Sequence, residues 1–271
     1  MPGLVRDLDW LERLAERDGS EIWRARWIDG SPVVVKILTS SRPDRVTRFE
    51  TEARLLRLAG GRHGLVECIR VIDNPRALVL EYLDGGSLHD RIIDRVAGLP
   101  VSVGCGIVAA VADAAAWLHS NDIIHRDIKP SNILLGHGGE VRLIDLGVAA
   151  FGCPPRGMPD GFVEEAVGTL GFAAPELLGD PSSASIAVDI YGLGATLYEA
   201  LTGYLPHGYG ASESIESYQA RIAGGERAVP VSARAEIPAT LAATIDAALS
   251  VAPGDRPGSV SEFAGRIRCF A

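Results

Sequence analysis

The sequence predicts an α+β fold in which a small strand-rich part precedes a larger, mainly helical part. Between residues 11 and 38, short apolar runs are separated by Asp18-Gly19 and Asp29-Gly30, which are hairpin-turn signals. After Asp84-Gly85-Gly86 the apolar residues recur at helical spacing instead. The chain has 271 residues, of which 47% are hydrophobic and 23% charged, so it can bury a substantial core.

The strand-rich part is expected to hold a small antiparallel sheet and one main helix. Pro32–Leu38 is an apolar, β-branched run that is interrupted only by Lys36. From about Asp44 to Leu58 the apolar period becomes helical. Further strands are expected near Leu65–Val71 and Ala77–Tyr82.

The second part is expected to be mostly helical. Its apolar residues predict a helix over residues 101–119 and further helices over most of residues 185–270. Two short apolar runs within residues 133–144 predict a small hairpin. Residues 152–161 are rich in glycine and proline, which predicts irregular structure.

Composition and charge exclude several classes of protein. The net charge of −9 disfavours a nucleic-acid partner, since nucleic-acid binders usually carry positive charge. No apolar run approaches the length needed to span a bilayer, and the start of the chain lacks the pattern of a signal peptide. The 4 cysteines have no C-x-x-C spacing, which makes a zinc site a poor interpretation. We expect a cytoplasmic protein with free thiols.

Lys36 is the first candidate functional residue. A lysine inside an apolar strand either faces solvent at an edge or is matched by an opposite charge. Glu52, on the helix that follows, is the expected partner. Glu50 lies two positions away on the same helix and should face elsewhere.

A second group of candidates lies in the loop Ile124–Asn132. The Asp127 carboxylate can orient an attacking hydroxyl, and Lys129 can neutralise a phosphate. Asn132 can bind a hard cation through its amide oxygen, and Asp145, at the end of the small hairpin, suits a second magnesium ligand. Taken singly, these segments are equally compatible with plain turns.

In their order and spacing, these motifs resemble those of eukaryotic-type (Hanks-type) protein kinases, most closely the bacterial serine/threonine kinases. The matching residues are Val33–Lys36, Glu52, His125-Arg126-Asp127 through Asn132, Asp145-Leu146-Gly147, Ala174-Pro175-Glu176, Asp189 and Arg256-Pro257. The resemblance implies a bilobal kinase fold and a single kinase domain over 1–271. Its N-lobe would cover about 1–83, its hinge 81–86, and its C-lobe about 87–271.

The resemblance also implies ATP and Mg²⁺ as cofactors and a protein substrate. Lys36 would hold the α- and β-phosphates of ATP while paired with Glu52. The other positions expected to contact ATP are Ser20, Ile22, Val34, Leu80 at the gatekeeper position, and Glu81 to Leu83, whose backbone would bind adenine.

The same resemblance implies roles in the helical part. Asp127 would orient the substrate hydroxyl and accept its proton, and Lys129 would steady the transferred phosphoryl group. Asn132 and Asp145 would hold Mg²⁺. The expected structural residues are Glu176 and Arg256, which would form an ion pair, and Asp189, which would brace the catalytic loop.

The loop that covers the ATP phosphates departs from the family pattern. Ala15, Arg17 and Ser20 stand where the family has three glycines. Either Arg17 compensates with its charge, or the hairpin has lost its phosphate-binding role. The alternative function is therefore a pseudokinase, a scaffold that binds ATP weakly. A small-molecule kinase is a remote alternative, because such enzymes usually have His-Gly-Asp rather than His-Arg-Asp.

The activation segment also departs from the family pattern. Residues 148–168 contain no Ser, Thr or Tyr, and the first hydroxyl is Thr169, which the family uses to contact the catalytic loop. We hypothesise that Glu164 or Glu165 pairs with Arg126 and orders the segment without phosphorylation. The alternative is an ordinary solvated acidic pair. The sequence leaves open the protein substrate and whether a regulatory partner or a homodimer is involved.

Overall fold

The computed structural model describes residues 8–17, 19–95, 98–151, 171–210 and 212–271. The chain divides into two compact units. We call them the strand unit, which runs to Asp84 and also contains Ile144–Gly147, and the helical unit, which holds Gly85–Leu143 and the chain from Val148 onward.

The strand unit is a five-stranded antiparallel sheet with one helix, as the sequence predicts. Its strands are β1 (Leu8–Arg17), β2 (Ser20–Trp27), β3 (Pro32–Leu38), β4 (Cys68–Ile72) and β5 (Ala77–Glu81), in the order β1-β2-β3-β5-β4. Helix α1 (Pro43–Ala59) lies between β3 and β4 in the chain. One face of the sheet forms an apolar core around Val33, Val35 and Val79, each of which is fully buried.

One strand begins later than its apolar run predicts. We expected a strand from Leu65, but β4 begins at Cys68. The Leu65 N–H instead donates to the Arg62 carbonyl at 3.2 Å and closes a turn after α1. The Glu67 N–H donates to the Glu81 side chain at 2.8 Å, and the Glu67 carbonyl accepts from the Glu81 N–H at 3.0 Å, so Glu67 contacts β5 without joining the regular ladder.

The helical unit contains most of the helices and two short antiparallel strand pairs. Its elements are α2 (Leu88–Ile93), α3 (Val101–Ser120), β6 (Ile123–Ile124), β7 (Ile133–Leu135), β8 (Val141–Leu143), β9 (Ala150–Phe151), α4 (Pro175–Gly179), α5 (Ile186–Thr202), α6 (Ile215–Ala223), α7 (Ala239–Ala248) and α8 (Val260–Arg268). β6 pairs with β9 and β7 pairs with β8. Helix α5 is buried along nearly its whole length and packs against α3 and α7.

The fold class predicted from the sequence is confirmed, including the long helix α3 and the β7–β8 hairpin. Helix α2 was not predicted. It begins with a capping box, in which the Ser87 hydroxyl accepts from the Asp90 N–H and the Asp90 carboxylate accepts from the Ser87 N–H. The irregular stretch expected over residues 152–161 lies outside the described residues.

Helix α3 is more apolar than we expected from the sequence. Among the described residues, it alone has the length and mean hydropathy that would allow a helix to cross a bilayer. More than half of its most apolar stretch, 56%, is buried inside the protein. That burial is the environment of a core helix, for which a high mean hydropathy is equally expected.

Candidate active site

In the strand unit, Lys36 is paired with Glu52. Lys36 lies in β3, and its Nζ donates to Glu52 Oε2 at 2.6 Å. The Glu52 side chain is only 4% exposed and that of Lys36 20%. Glu50 instead is exposed and lies 3.4 Å from Arg76. The pair is therefore the one that helical spacing predicts.

A second carboxylate lies beside the same ammonium group. Asp145 Oδ1 is 3.7 Å from Lys36 Nζ, and both residues belong to the strand unit. Burial raises the pKa of Glu52, the Lys36 charge opposes that rise, and the Asp145 charge adds to it. Lys36 is thus shared between two carboxylates of the strand unit.

The sheet face of Lys36 also carries Ile22, Val34 and Leu80. Ile22 pairs directly with Lys36 across β2 and β3. Val34 pairs directly with Leu80 across β3 and β5. Directly opposed residues in antiparallel strands project to the same side, and positions 34 and 36 of one strand do so too. This face is opposite to the one that carries the buried valines of the core.

The tip of the β1–β2 hairpin is fastened to the end of β3. Gly19 has a φ of +73°, and a Cβ at this position would lie 2.6 Å from the Ser40 Cβ, so only glycine fits. Its carbonyl accepts from the Thr39 N–H at 2.9 Å, the Thr39 hydroxyl at 2.9 Å and the Ser40 N–H at 3.0 Å. Ser20, the next residue, is buried. Gly19 is thus used for the turn and its packing.

The predicted hinge continues from β5. The Glu81 N–H donates to the Glu67 carbonyl at 3.0 Å, and the Glu81 carboxylate accepts from the Glu67 N–H. Leu83 is half-buried two residues later. The Arg24 guanidinium lies 4.9 Å from the centre of the Tyr82 ring. These contacts hold Glu81 and Tyr82, the first two residues of the segment that the resemblance assigns to adenine.

In the helical unit, the Asp127 carboxylate is oriented by two donors. Asp127 Oδ2 accepts from Lys129 Nζ at 2.6 Å and from Asn132 Nδ2 at 2.9 Å. Asn132 Nδ2 also donates to the Asp127 backbone carbonyl at 2.9 Å. Asn132 lies in a 3-10 turn, Pro130–Asn132, that brings it back over the loop. The sequence-predicted acid, lysine and amide therefore form one hydrogen-bonded group.

Asp189 of α5 stabilises this loop by accepting hydrogen bonds from its backbone. Its Oδ2 accepts from the His125 N–H at 2.9 Å, and its Oδ1 accepts from the Arg126 N–H at 2.8 Å. Arg126 has a φ of +70°, an uncommon conformation for a residue with a side chain, and the bonds on either side of it hold it there. The Asp127 N–H in turn donates to His125 Nδ1 at 3.2 Å.

His119 is a residue of this site that our sequence analysis missed. It lies in the last turn of α3, and its Nε2 is 2.7 Å from Asp189 Oδ2. An ionised carboxylate only accepts hydrogen bonds, so Nε2 is the nitrogen that carries hydrogen. No local signal in the sequence points to this contact, because the two residues are 70 positions apart.

Glu176 and Arg256 form the expected ion pair within the helical unit. Arg256 Nη1 and Nη2 donate to the two Glu176 carboxylate oxygens at 2.6 and 2.8 Å. The Arg256 side chain is fully buried, and it also donates to the carbonyls of Ala187 and Ser250 at 2.9 Å each. Because its donors are satisfied by several partners, the pair is suited to holding α4 against the start of α5.

The donor chemistry of Asn132 and Asp145 fits Mg²⁺. Both residues offer oxygen atoms, which this hard cation prefers. Among the residues that the structure describes, no three His, Cys, Asp or Glu side chains form a group that could hold a metal ion. Thr169, Glu164 and Glu165 lie outside the described residues.

Comparison with known proteins identifies the family. The protein kinase domain family matches residues 20–264. Serine/threonine-protein kinase PkaA of Streptomyces coelicolor is 34% identical over 97% of this chain and 47% of its own length. PkaB of the same organism is 36% identical over 73% of this chain and 49% of its own length. Pkn1 of Myxococcus xanthus is 32% identical over 88% of this chain and 34% of its own length.

This chain belongs to the protein kinase domain family, since that match covers most of its length. The resemblance to bacterial serine/threonine kinases that its motifs predict is confirmed. The chain spans about half the length of the Streptomyces relatives, 47% and 49%.

Proposed function

We propose that the protein is a serine/threonine protein kinase that transfers the γ-phosphate of ATP, with Mg²⁺, to a protein hydroxyl. The observation that carries the proposal is the group formed by Asp127, Lys129 and Asn132, in which the carboxylate is oriented by two donors. Phosphoryl transfer requires positioning and positive charge more than covalent chemistry. These three side chains supply a proton acceptor, a cation and an oxygen ligand.

In this proposal Asp127 orients the substrate hydroxyl and accepts its proton. The hydrogen bonds to its Oδ2 hold the carboxylate in one orientation, so little reorganisation is needed during the reaction. Lys129 places a positive charge at the same oxygen and steadies the phosphoryl group as it transfers. Asp189 and His119 act through the loop backbone and are positioning residues.

Lys36 binds the α- and β-phosphates in the proposed reaction, and Glu52 fixes the position of its ammonium group. Asn132 and Asp145 would hold Mg²⁺, which supplies charge neutralisation at the phosphates when bound. Ser20, Ile22, Val34 and Leu80 would surround the nucleotide, with the backbone of Glu81 to Leu83 binding adenine. The shared sheet face of Ile22, Val34, Lys36 and Leu80 supports this assignment.

The proposed domain is a single kinase domain over 1–271, with an N-lobe of about 1–83 and a C-lobe from about 87. In its activation segment, Glu164 or Glu165 pairs with Arg126 in place of a phosphate, and Thr169 contacts the catalytic loop. Substitution of both glutamates by alanine should then lower phosphoryl transfer. Unchanged activity of that double variant would remove this part of the proposal.

The proposed partners are ATP and a protein substrate, and we place the reaction in the cytoplasm, where ATP is available. The net charge of −9 argues against a nucleic-acid substrate. A regulatory partner or a homodimer would be compatible with the proposal, since nothing in the mechanism requires either.

Incubation of the purified chain with Mg-ATP and a general protein substrate tests the function. Intact-mass measurement should show added phosphoryl groups on the chain or the substrate. Asp127→Asn and Lys36→Met should each slow that gain by roughly 10²-fold or more. A nucleotide-dependent thermal shift without any phosphoryl transfer would instead establish the second candidate, a pseudokinase, which the missing glycines and the fastened tip at Gly19 favour.

A further inference from the structure

A small cavity lies in the helical unit between α4, α5 and α6. Its wall includes Ala173, Leu178, Tyr191, His207, Tyr218 and Ile222. None of these residues belongs to the catalytic loop. The space open to the centre of a water molecule is about 10 Å³, which is roughly what one water requires.

The wall of the cavity is apolar except at a few buried polar atoms. His207 and Tyr218 are each only 2% exposed. His207 Nε2 is hydrogen-bonded to the Tyr191 hydroxyl at 2.8 Å. Among the described residues, His207 Nδ1 and the Tyr218 hydroxyl have no hydrogen-bond partner. Buried polar atoms in folded proteins are nearly always hydrogen-bonded, so these two require an explanation.

Glu226 does not provide the missing partner of the histidine. Its Oε1 is 3.8 Å from His207 Nδ1, which is too long for a hydrogen bond. The same oxygen is also in close contact with Arg221 Nη1. The carboxylate is therefore already engaged by a cation on α6.

A water molecule can form hydrogen bonds with both His207 Nδ1 and the Tyr218 hydroxyl, whichever nitrogen of the histidine ring carries the hydrogen. Burial lowers the pKa of His207, so its imidazole is neutral near pH 7 and has one donor and one acceptor nitrogen. If the Tyr191 hydroxyl donates to Nε2, then Nδ1 carries the hydrogen and can donate it to a water. If Tyr191 accepts from Nε2, then Nδ1 has no hydrogen and can accept one from a water. Water can donate two hydrogen bonds and accept two, and a tyrosine hydroxyl can also do either.

We propose that His207 Nδ1 and the Tyr218 hydroxyl bind one ordered water molecule in this cavity. The water completes a polar chain across the helical unit. The chain begins at the Glu176–Arg256 ion pair, continues through the Arg256 guanidinium 5.0 Å from the Tyr191 ring centre, and passes through His207 to Tyr218. Helix α6 is thereby joined to α4, the helix that follows the activation segment. This inference does not depend on the proposed function.

A crystal structure of the same chain, at a resolution that shows ordered water, is the direct test. We expect one density peak within 3.2 Å of both His207 Nδ1 and the Tyr218 hydroxyl, the outer limit for such hydrogen bonds being about 3.2 Å. A cavity without density, a direct bond between the two atoms, or the Gln219 amide filling the space would each overturn the proposal.

A second test uses the direction of a stability change. Tyr218→Phe removes one ligand of the water and should speed amide hydrogen exchange in α6 by about fivefold, the loss of about one net hydrogen bond. Without the water, the same change would delete a hydroxyl that lacks a partner, and exchange would be unchanged or slower. Either of the latter results overturns the proposal.

Tyr209→Phe is the matched control for that test. The Tyr209 ring lies 5.4 Å from the Tyr218 ring but is 45% exposed, and its hydroxyl donates to the Glu213 carbonyl at 2.7 Å. Solvent can replace that exposed hydrogen bond, so exchange in α6 should change less than in Tyr218→Phe. An equal effect of the two substitutions would show that the loss of a hydroxyl near α6 is sufficient without a bound water, and would overturn the proposal.

Discussion

The catalytic loop and the β1–β2 hairpin, both of which the family uses around ATP, are held in different ways. The loop is held by side chains from several elements, with Asp189, His119 and Asn132 each making hydrogen bonds at 2.7 to 2.9 Å. In the described part of the hairpin tip, the Gly19 backbone carbonyl accepts hydrogen bonds from Thr39 and Ser40. The residues assigned to phosphoryl transfer are present and held by hydrogen bonds, whereas the segment assigned to covering the phosphates lacks the family's three glycines. We therefore expect any loss of activity relative to the family to arise from weaker nucleotide binding.

The largest expected effect is at Asp127. Asp127→Asn removes the proton acceptor but preserves the size of the side chain, so kcat should fall by roughly 10³-fold with ATP affinity little changed. Steady-state kinetics with a thermal-shift titration of Mg-ATP measures both quantities. Asp122→Asn is the matched control, since Asp122 is exposed and Asn tolerates its φ of +57°. Equal activities of the two variants would contradict the assignment.

Lys36→Met tests the strand unit. Its loss leaves Glu52 buried without a counter-charge, so the pKa of Glu52 should rise further and the nucleotide should lose its phosphate contact. We expect the thermal shift with Mg-ATP to disappear and kcat/KM to fall by roughly 10²-fold. An undiminished thermal shift would show that the nucleotide does not contact Lys36.

Asp189→Asn tests the brace of the catalytic loop. In this variant an amide NH₂ replaces one of the two carboxylate oxygens that accept from the His125 and Arg126 N–H groups, so two donors face each other. We expect the free energy of unfolding to fall by about 2 kcal/mol and the activity to decrease. Urea denaturation measures the cost. Asp113→Asn is the contrast, because its ion pair with Arg268 is exposed and should contribute about 0.5 kcal/mol or less. Similar losses would mean that the brace is unimportant.

Restoring glycine to the hairpin should have a smaller effect. The double variant Ala15→Gly and Ser20→Gly would let backbone amides approach the phosphates more closely, and the Kd for ATP should fall by roughly threefold. A nucleotide titration of the variant against the unmodified chain measures the change. An unaltered Kd would indicate that the hairpin no longer takes part in phosphate binding.

The smallest expected effect is the contribution of His207, in the helical unit, to the pH dependence of stability. Burial lowers the pKa of His207 below its usual 6.5, so the unfolded chain takes up the proton first as the pH falls. The stability tied to neutral His207 is complete above about pH 6.5 and is lost as the pH falls through the folded-state pKa. His207→Phe should reduce the fall in Tm between pH 7.5 and 5.5. Parallel Tm curves would refute this.

Much of this architecture follows from local patterns. The lysine within an apolar strand and the spacing of Glu52 on the next helix predict their pairing, because each rule depends on neighbouring residues only. The S-x-x-D pattern at Ser87 would have predicted α2 by the same kind of rule. The start of β4 was missed because an apolar run does not reveal which of its residues join the ladder.

Other features of the site have no local signal. Arg126 and Asp145 adopt φ values of +70° and +66°, although neither is a glycine and nothing beside them marks a turn of this kind. Their conformations are stabilised by contacts made elsewhere in the chain, as with Asp189 for Arg126. The same holds for His119, whose partner is identified only once α3 and α5 are packed together.

The brace at Asp189 also bears on how this chain would fold during its synthesis. It joins residues that are 64 positions apart, so the loop can adopt its shape only after that intervening length has emerged from the ribosome and folded. A nascent chain that stops short of Asp189 already contains Asp127, Lys129 and Asn132 yet lacks the means to arrange them. We therefore expect this loop to reach its final conformation only after α5 has been synthesised and folded.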